Sequence, residues 1–398
     1  MPVQYACNLA ALLPVRFLFA FIIIGAILGS QIVFAEGASS SSLRPCISRG
    51  QENRATRMLR AHRKPRCQTK VAGSSLPSSR SSSVSSSPLS MDPRSDTEIR
   101  SQFVLLGETG PVLGAGKIFI QEEPVLVTEI LVSLTVENLT VQSLLVYDDD
   151  KRFLGRATLD PSASTNRTYR AVLASTALRV GQREERRIYV RADTKSLNAG
   201  GQSNQLVQIS SIVIKGNGEW SSAPYSVSTA VTEAFPQFVT ARSMFTSITN
   251  AGVPTATIIA GARTLGSFTF SGRKSDATAK LDINDLTFDV GQTGGVSVSA
   301  VTLGADGSSD RFPCTVAGAQ VLCTAIPDTY GSVSDGPRTL TLYGTVSITD
   351  PADASLRLTL NESGSATTEG AVSWSDGTSA FDWVALPGPL GEGTYFNY

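Results

Sequence analysis

The chain has 398 residues, of which 34 are Lys or Arg and 34 are Asp or Glu, so its formal net charge is zero. A neutral chain has no overall field that steers it toward polyanions, which excludes bulk electrostatic binding of nucleic acid as its main function. Hydrophobic residues make up 41% and charged residues 17% of the chain, and this length and balance suit a globular protein with two or three domains.

Residues 1–35 predict an export signal. Arg16 precedes the apolar run Phe17–Leu28, and Val33-Phe34-Ala35 fits positions −3 to −1 of a cleavage site, with cleavage after Ala35. The alternative is an uncleaved membrane anchor, because residues 17–35 are long enough to cross a bilayer. Both interpretations predict a secreted or cell-surface protein, which touches the membrane only through this segment if it stays uncleaved.

Residues 36–97 predict a disordered, basic linker. Residues 36–94 contain eleven Arg and Lys against three acidic residues, and serine runs surround the basic positions. Such a segment buries too little apolar surface to offset the entropy lost on ordering. Adhesion of residues 54–70 to anionic lipid, wall polymer or nucleic acid is an alternative, as is an organelle transit peptide. No aromatic residue accompanies the arginines, so no specific nucleic-acid binding is predicted.

A first β domain is predicted over residues 98–232. Short β-branched and aromatic runs recur about every ten residues, and turn signals such as Asp148-Asp149-Asp150 divide them. Within the run 130–136, Ile130, Val132, Leu134 and Val136 stand at every second position and predict one apolar strand face. These features indicate an antiparallel sandwich. The runs are 103–106, 117–120, 125–127, 130–136, 143–147, 169–173, 187–190 and 206–214.

A second β domain, residues 233–398, is predicted because short segments of the first recur in chain order. The segment 134–136 recurs as 286–288, an offset of 286 − 134 = 152 residues. Residues 223–262 are expected to join the two blocks and to supply the first strand of the second domain. The further matched pairs are Ile188 with Leu340, Val190 with Leu342, Ile118 with Phe268, Ile120 with Phe270, and Trp220 with Trp374. The predicted fold is therefore all-β, with two tandem antiparallel sandwiches.

Four segments of the second block form a recognisable series. They are Thr264–Phe270, Leu286–Phe288, Leu340–Tyr343 and Trp374–Gly377. The series resembles the tandem immunoglobulin-like β-sandwich modules of bacterial cell-surface and adhesin-type proteins, particularly the repeats in envelope proteins of uncultured bacterial lineages. The resemblance covers residues 100–398. It implies a surface or secreted structural module and carries over no catalytic residue.

Cysteine spacing predicts one disulfide. Cys314 and Cys323 flank Ala317-Gly318-Ala319, a turn that would bring two neighbouring strands within bridging distance. Two buried free thiols are the alternative. Cys46 and Cys67 fall in the basic linker and could pair with each other or with another chain. No zinc site is predicted, because the cysteines lack CxxC spacing and the sequence has a single histidine.

That histidine, His62, falls in the predicted linker, where nothing would position an imidazole for a serine or cysteine triad. No glycine-rich loop leads into a helix, so nucleotide binding has no scaffold. The chain is predicted not to be an enzyme and to need no cofactor. A glycan hydrolase that uses two carboxylates is the catalytic alternative, since such chemistry needs no histidine.

Two acidic turns and the C-terminal aromatics are the candidate sites. Carboxylates of Asp148 and Asp150, and of Asp306 and Asp310, are weak calcium candidates, although solvated turns account for them better. Exposed rings of Trp374, Trp383 and Tyr395 would form a carbohydrate-binding surface; the other interpretation is that both tryptophans close the last core. The predicted function is structural or adhesive, with a cell-envelope protein or glycan as partner, and carbohydrate binding is the alternative.

Overall fold

A computed structural model describes residues 89–92, 99–228 and 235–398, with backbone alone for residues 89–92. The predicted signal segment and most of the predicted basic linker, with His62, Cys46 and Cys67, lie outside the described residues. So does the predicted domain boundary between residues 232 and 233. Residues 89–92, which were predicted to belong to the disordered linker, instead form a strand that pairs with residues 117–120, so the predicted linker extends too far along the chain. Among the described residues no helix is both long enough and apolar enough to span a bilayer.

The first half of the described chain is built from twelve strands and one 3₁₀ turn at Leu197–Ala199. The strands are β1 (Leu89–Asp92), β2 (Gln102–Leu105), β3 (Thr109–Ile120), β4 (Val125–Leu134), β5 (Val141–Asp148), β6 (Phe153–Leu159), β7 (Thr168–Val172), β8 (Arg179–Val180), β9 (Glu185–Thr194), β10 (Leu206–Val207), β11 (Ile209–Gly218) and β12 (Pro224–Ser228). Their antiparallel order is β1-β3-β9-β5-β6-β7-β4-β11-β12, with β8 beside β4.

Two layers of this sheet enclose the first hydrophobic core. Strand β6 pairs with β5 through residues 153–157 and with β7 through its last two residues, and so connects the layers. Alternation places Ile130, Val132 and Leu134 of β4 in the core with no exposed surface. Val136 was expected on the same face, but β4 ends at Leu134 and Val136 is 43% exposed. The alternation therefore predicts the strand correctly and its end two residues too late.

The second half has fifteen strands, one short helix, α1 (Asp328–Gly331), and a 3₁₀ turn at Pro351–Asp353. The strands are β13 (Phe238–Ala241), β14 (Ser243–Asn250), β15 (Thr255–Thr257), β16 (Gly261–Lys274), β17 (Asp282–Thr293), β18 (Val296–Ala305), β19 (Phe312–Pro313), β20 (Thr315–Ala317), β21 (Gln320–Cys323), β22 (Arg338–Ile348), β23 (Ser355–Leu360), β24 (Val372–Ser375), β25 (Ala380–Phe381), β26 (Gly391–Glu392) and β27 (Tyr395–Asn397).

The second hydrophobic core lies between two sheets of this half. One has the order β14-β16-β22-β18-β19, and the other has the order β15-β27-β23-β17-β21-β20 with β24 and β26 attached. Phe268, Phe270 and Phe288 fill the space between them and are fully buried. The all-β antiparallel sandwich architecture predicted from the sequence is confirmed by these pairings.

The two halves repeat the same strand order. The series β1-β3-β9-β5-β6 corresponds to β14-β16-β22-β18-β19, and β4 corresponds to β17. Ile118 pairs with Arg186, and Phe270 pairs with Arg338, so the matched strands recur at 270 − 118 = 152 residues. The sequence pairing of Ile118 with Phe268 was thus two residues out of register, because both positions belong to the same alternating apolar face.

Candidate functional site: the junction of the two cores

A three-stranded sheet, in the order β10-β13-β2, connects the two halves. Strand β13 pairs antiparallel with β10 and parallel with β2, both from the first half. After Arg242 the chain continues directly as β14, an edge strand of the second core. The connection between the cores is therefore strand-paired backbone, through residues 238–241 on the first half and from residue 243 onward on the second. Residues 223–262 were expected to join the blocks and to supply the first strand of the second domain, and β14 lies within that segment.

Phe103, on β2, packs inside the second core although it belongs to the first half of the sequence. Its side chain is 3% exposed, and its ring stacks on Trp383 with centroids 4.1 Å apart. The edges of Trp374 and Phe381 contact it at centroid distances of 5.2 and 5.1 Å. Trp374 is fully buried and its Nε1 donates to the Trp383 carbonyl at 2.8 Å. The four rings form an aromatic cluster across the junction.

Asp376 is the charged centre of the junction. Its fully buried carboxylate accepts the backbone N–H of Arg242 at 2.9 Å and the hydroxyl of Ser203 at 2.5 Å. It also accepts the N–H groups of Thr378 and Ser379 in its own turn, each at 2.8 Å. Burial by itself raises the pKa of Asp376, but these hydrogen bonds outweigh burial and hold the pKa below its ordinary value. The group is therefore ionised at neutral pH.

Arg242 holds the same region from the other side. Its Nη2 lies 2.9 Å from Oδ1 of Asp276 and 2.6 Å from the hydroxyl of Thr278, and its Nε lies 3.3 Å from Oδ2 of Asp276. The hydrogen bond from Arg242 lowers the pKa of Asp276 well below its usual range. The Arg242 side chain is only 6% exposed, and its two hydrogen bonds to Asp276 hold the guanidinium in one orientation. This contact fixes the backbone direction at Arg242, between the end of β13 and the start of β14.

The C-terminal aromatic side chains do not form an open carbohydrate-binding surface, because the two tryptophans are buried. Trp374 and Trp383 are 0% and 6% exposed and belong to the second core, as their alternative interpretation describes. Tyr395 is 37% exposed, and the guanidinium of Arg357 lies 5.8 Å from its ring centroid. Two clefts of about 320 and 450 Å³ flank Trp383. Carboxylates of Glu369 and Asp382 line the first, and Arg100 and Gln102 line the second beside apolar residues.

The two acidic turns lie at corresponding hairpins. Asp148 and Asp150 lie at the turn between β5 and β6, and Asp306 and Asp310 at the turn between β18 and β19. The guanidinium of Arg186 contacts Asp149 at 3.3 Å and Asp150 at 3.9 Å, so a protein cation already faces the first turn. Carboxylate oxygens of residues 148–150 lie within 4.8 Å of one another. Calcium binding at these turns stays a prediction.

The predicted disulfide is present. Cys314 and Cys323 are bonded across the hairpin of β20 and β21, in which Ala317 pairs with Gln320. Gly318 has a φ of +61° at the turn, a conformation that glycine adopts without steric cost. The bond closes a short loop at the edge of the second core and contributes stability by restricting the unfolded chain.

Reduction of this disulfide should lower the free energy of unfolding by about 2 to 3 kcal/mol, the value expected for a loop of this length. The measurement is urea unfolding with and without reductant, in a variant whose other three cysteines are serine. Equal midpoints under both conditions would contradict the prediction.

A turn at the far end of the first core displays a tryptophan. Trp220 lies between β11 and β12 and is 69% exposed. The carboxylate of Glu123 holds the turn, since it accepts the N–H groups of Trp220 at 2.8 Å and Ser221 at 3.0 Å and the hydroxyl of Tyr225 at 2.7 Å. It also accepts the hydroxyl of Ser221. Sequence matching paired Trp220 with Trp374, but one is exposed in a turn and the other is buried in a strand.

Hydrogen bonds from Ser221 and Tyr225 lower the pKa of Glu123 from 4.5 to about 2. Between these values the unfolded chain binds a proton that the folded chain does not, so this stabilising contribution is present above pH 4.5 and is lost as the pH falls toward 2. We expect Glu123→Gln to flatten this part of the stability profile. Urea unfolding at a series of pH values, for wild type and variant, is the measurement. Parallel profiles would show that Glu123 is not responsible.

These arrangements define a class of protein: an antiparallel β-sandwich chain with two topologically repeated cores and a buried junction. No protein-family model matches the chain. No curated protein matches it either. Sixty-seven chains of solved structures do match.

Three of these matches are to domains of bacterial surface or biofilm proteins, the class that the sequence resembles. The C-terminal domain of the Streptococcus agalactiae AgI/II polypeptide BspA is 8% identical, with 74% of this chain and 96% of that chain covered and a TM-score of 0.22. The C-terminal domain of the Streptococcus pyogenes antigen I/II-family protein AspA is 9% identical, with 68% and 93% covered and a TM-score of 0.22. A biofilm associated protein B domain is 8% identical, with 78% and 85% covered and a TM-score of 0.20. Scores at this level define neither the topology nor the function of this chain.

Proposed function

We propose that the chain is an exported, non-catalytic protein of the cell surface, which acts as a structural or adhesive module and holds a cell-envelope protein or glycan. The observation that carries the proposal is the junction, where buried Phe103 and Asp376 fix one core to the other. An adhesive module transmits force between its ends. A junction made of backbone pairing, stacked rings and a buried charge resists rotation of one core relative to the other.

The carboxylates support a structural assignment over catalysis. A glycan hydrolase needs one carboxylic acid whose pKa is raised so that it stays protonated. Among the described residues, every carboxylate with a shifted pKa is shifted downward. Asp376 and Glu123 are the most enclosed of these carboxylates, and both accept hydrogen bonds from backbone N–H groups. Their chemistry is that of turn stabilisation.

Fractionation of the native host, with N-terminal sequencing of the mature chain, tests the export part of the proposal. The expected result is a chain in the envelope or medium that begins at Glu36 or retains its anchor. Recovery of the intact chain from the cytosol overturns the proposal.

The adhesive part is tested by deleting the gene and then measuring how well the cells attach to a substratum or to one another. We expect attachment to fall and to be restored by the wild type and by the exposed-residue variant Phe153→Ala, but less well by Phe103→Ala, which loosens the junction. Attachment that is unaffected by the deletion contradicts the adhesive function.

A further inference from the structure

The strand pair that forms the junction occurs a second time at the far end of the second core. Strands β2 and β13 are parallel, as are β15 and β27, and all other strand pairs among the described residues are antiparallel. In the first pair Leu106 donates its N–H to Ala241 at 3.0 Å, and in the second Ile258 donates to Asn397 at 2.8 Å. The two pairs therefore have the same register.

This register matches Phe103 with Thr255 and Val239 with Tyr395. Phe103 and Val239 are buried in the core that follows them. Their counterparts are exposed, Tyr395 to 37%, and the neighbouring strand ends add Ile259 at 64% and Tyr398 at 76% exposure. We call the surface formed by Thr255, Ile259, Tyr395 and Tyr398 the distal face. The distal face occupies the position in the second core that Phe103 and Val239 occupy in the first core, where they pack against the second core.

The receiving half of the junction is also repeated. In the second core the turn 376–379, between β24 and β25, meets the first core through Asp376. In the first core the turn 219–223, between β11 and β12, occupies the corresponding place, because each hairpin pairs with the start of a matched strand: Gly218 with Val125 and Ser375 with Asp282. Both turns are held by a carboxylate that accepts two backbone N–H groups.

The receiving turn of the second core is covered by Ser203 and Arg242 of the preceding segments, whereas that of the first core leaves Trp220 69% exposed. Strand β11 runs for ten residues from the junction to this turn, a distance of about 33 Å. In the second core, strand β17 runs for twelve residues from the junction to the distal face. Each core therefore carries one of the two exposed surfaces, at the end of a strand that starts at the junction.

We propose that the distal face of one copy docks onto the Trp220 turn of a second copy, which gives head-to-tail self-association. The occupant is a second copy because this chain carries both complementary surfaces, each the counterpart of a surface buried in its own junction. Two different faces meeting in this way form a heterologous contact, which produces a ring or an open series of copies. Tryptophan and tyrosine are also the side chains whose burial stabilises interfaces most. Self-association of this kind rests on the proposed structural function and adds a second copy of the chain to the cell-envelope partner.

Sedimentation velocity of the full chain over rising concentration tests the contact. The wild type should show dimers and longer species, while Trp220→Asp alone, and Ile259→Asp with Tyr398→Asp, should each weaken association about tenfold or more. Val172→Asp is the matched control, because Val172 is 70% exposed on β7, away from both faces. Circular dichroism confirms that each variant is folded.

Mixing the two face variants gives the decisive result. Trp220→Asp keeps the distal face intact, and Ile259→Asp with Tyr398→Asp keeps the Trp220 turn intact. In an equimolar mixture these two intact surfaces should bind each other and form a dimer, and no longer species should appear. A wild type that stays monomeric up to about 1 mM overturns the proposal. So does association that survives both face variants, or a loss that only one face variant causes. None of these outcomes alters the fractionation or attachment results, so failure here is distinguishable from failure of the proposed function.

Discussion

Phe103→Ala should destabilise the protein by about 3 to 5 kcal/mol, the usual cost of removing a buried phenylalanine ring. The loss should fall on the second core, because the ring lies against Trp374, Phe381 and Trp383 and not in the core of its own half. Urea unfolding measures the size of the effect, and hydrogen exchange measures its location.

Phe153→Ala is the control for this experiment, since it removes the same ring from a side chain that is 51% exposed. We expect it to cost less than about 1 kcal/mol. If Phe103→Ala reduces exchange protection only in strands of the first core, the assignment of this ring to the second core is wrong.

Asp376→Ala should cost about 3 kcal/mol, because it leaves the N–H groups of Arg242, Thr378 and Ser379 without their charged acceptor in a buried place. The exposed neighbour Asp382 provides the control substitution Asp382→Ala, which should be close to neutral. Urea unfolding of both variants at neutral pH is the measurement.

The pH dependence separates the charge of Asp376 from its packing. Since the folded pKa is lowered, wild-type stability should fall as the pH drops below the ordinary aspartate range, and Asp376→Ala should lose this part of the fall. An Asp376→Ala variant with unchanged stability at neutral pH would mean that solvent replaces the carboxylate, and the junction would not depend on its charge.

Much of the strand layout could be predicted from the sequence, because local alternation is a property of the strands themselves. Ile130, Val132 and Leu134 are buried as their spacing indicates, and the turn at Gly318 brings Cys314 and Cys323 together as predicted. Repeat matching found the correct order of strands. It placed Ile118 two residues out of register because a period of two gives the same face at either position.

The junction could not be predicted in the same way. Phe103 reads as an ordinary core residue of the first block, and no local pattern distinguishes a side chain that packs on its own core from one that packs on the next. Pairing of β2 with β13 joins residues more than a hundred positions apart, so it follows from tertiary packing and not from propensity. The sequence Asp-Gly predicts a turn at Asp376. It does not predict that the Asp376 carboxylate accepts hydrogen bonds from Arg242 and Ser203.

The placement of Phe103 has a consequence for biosynthesis. This ring is translated 374 − 103 = 271 residues before Trp374, the first of the three aromatic residues that cover it. A nascent or truncated chain that stops before Trp374 therefore leaves the ring in water beside the unfinished second core. Such an exposed apolar surface favours aggregation and recognition by chaperones. Burial of this one side chain therefore accompanies completion of the second core.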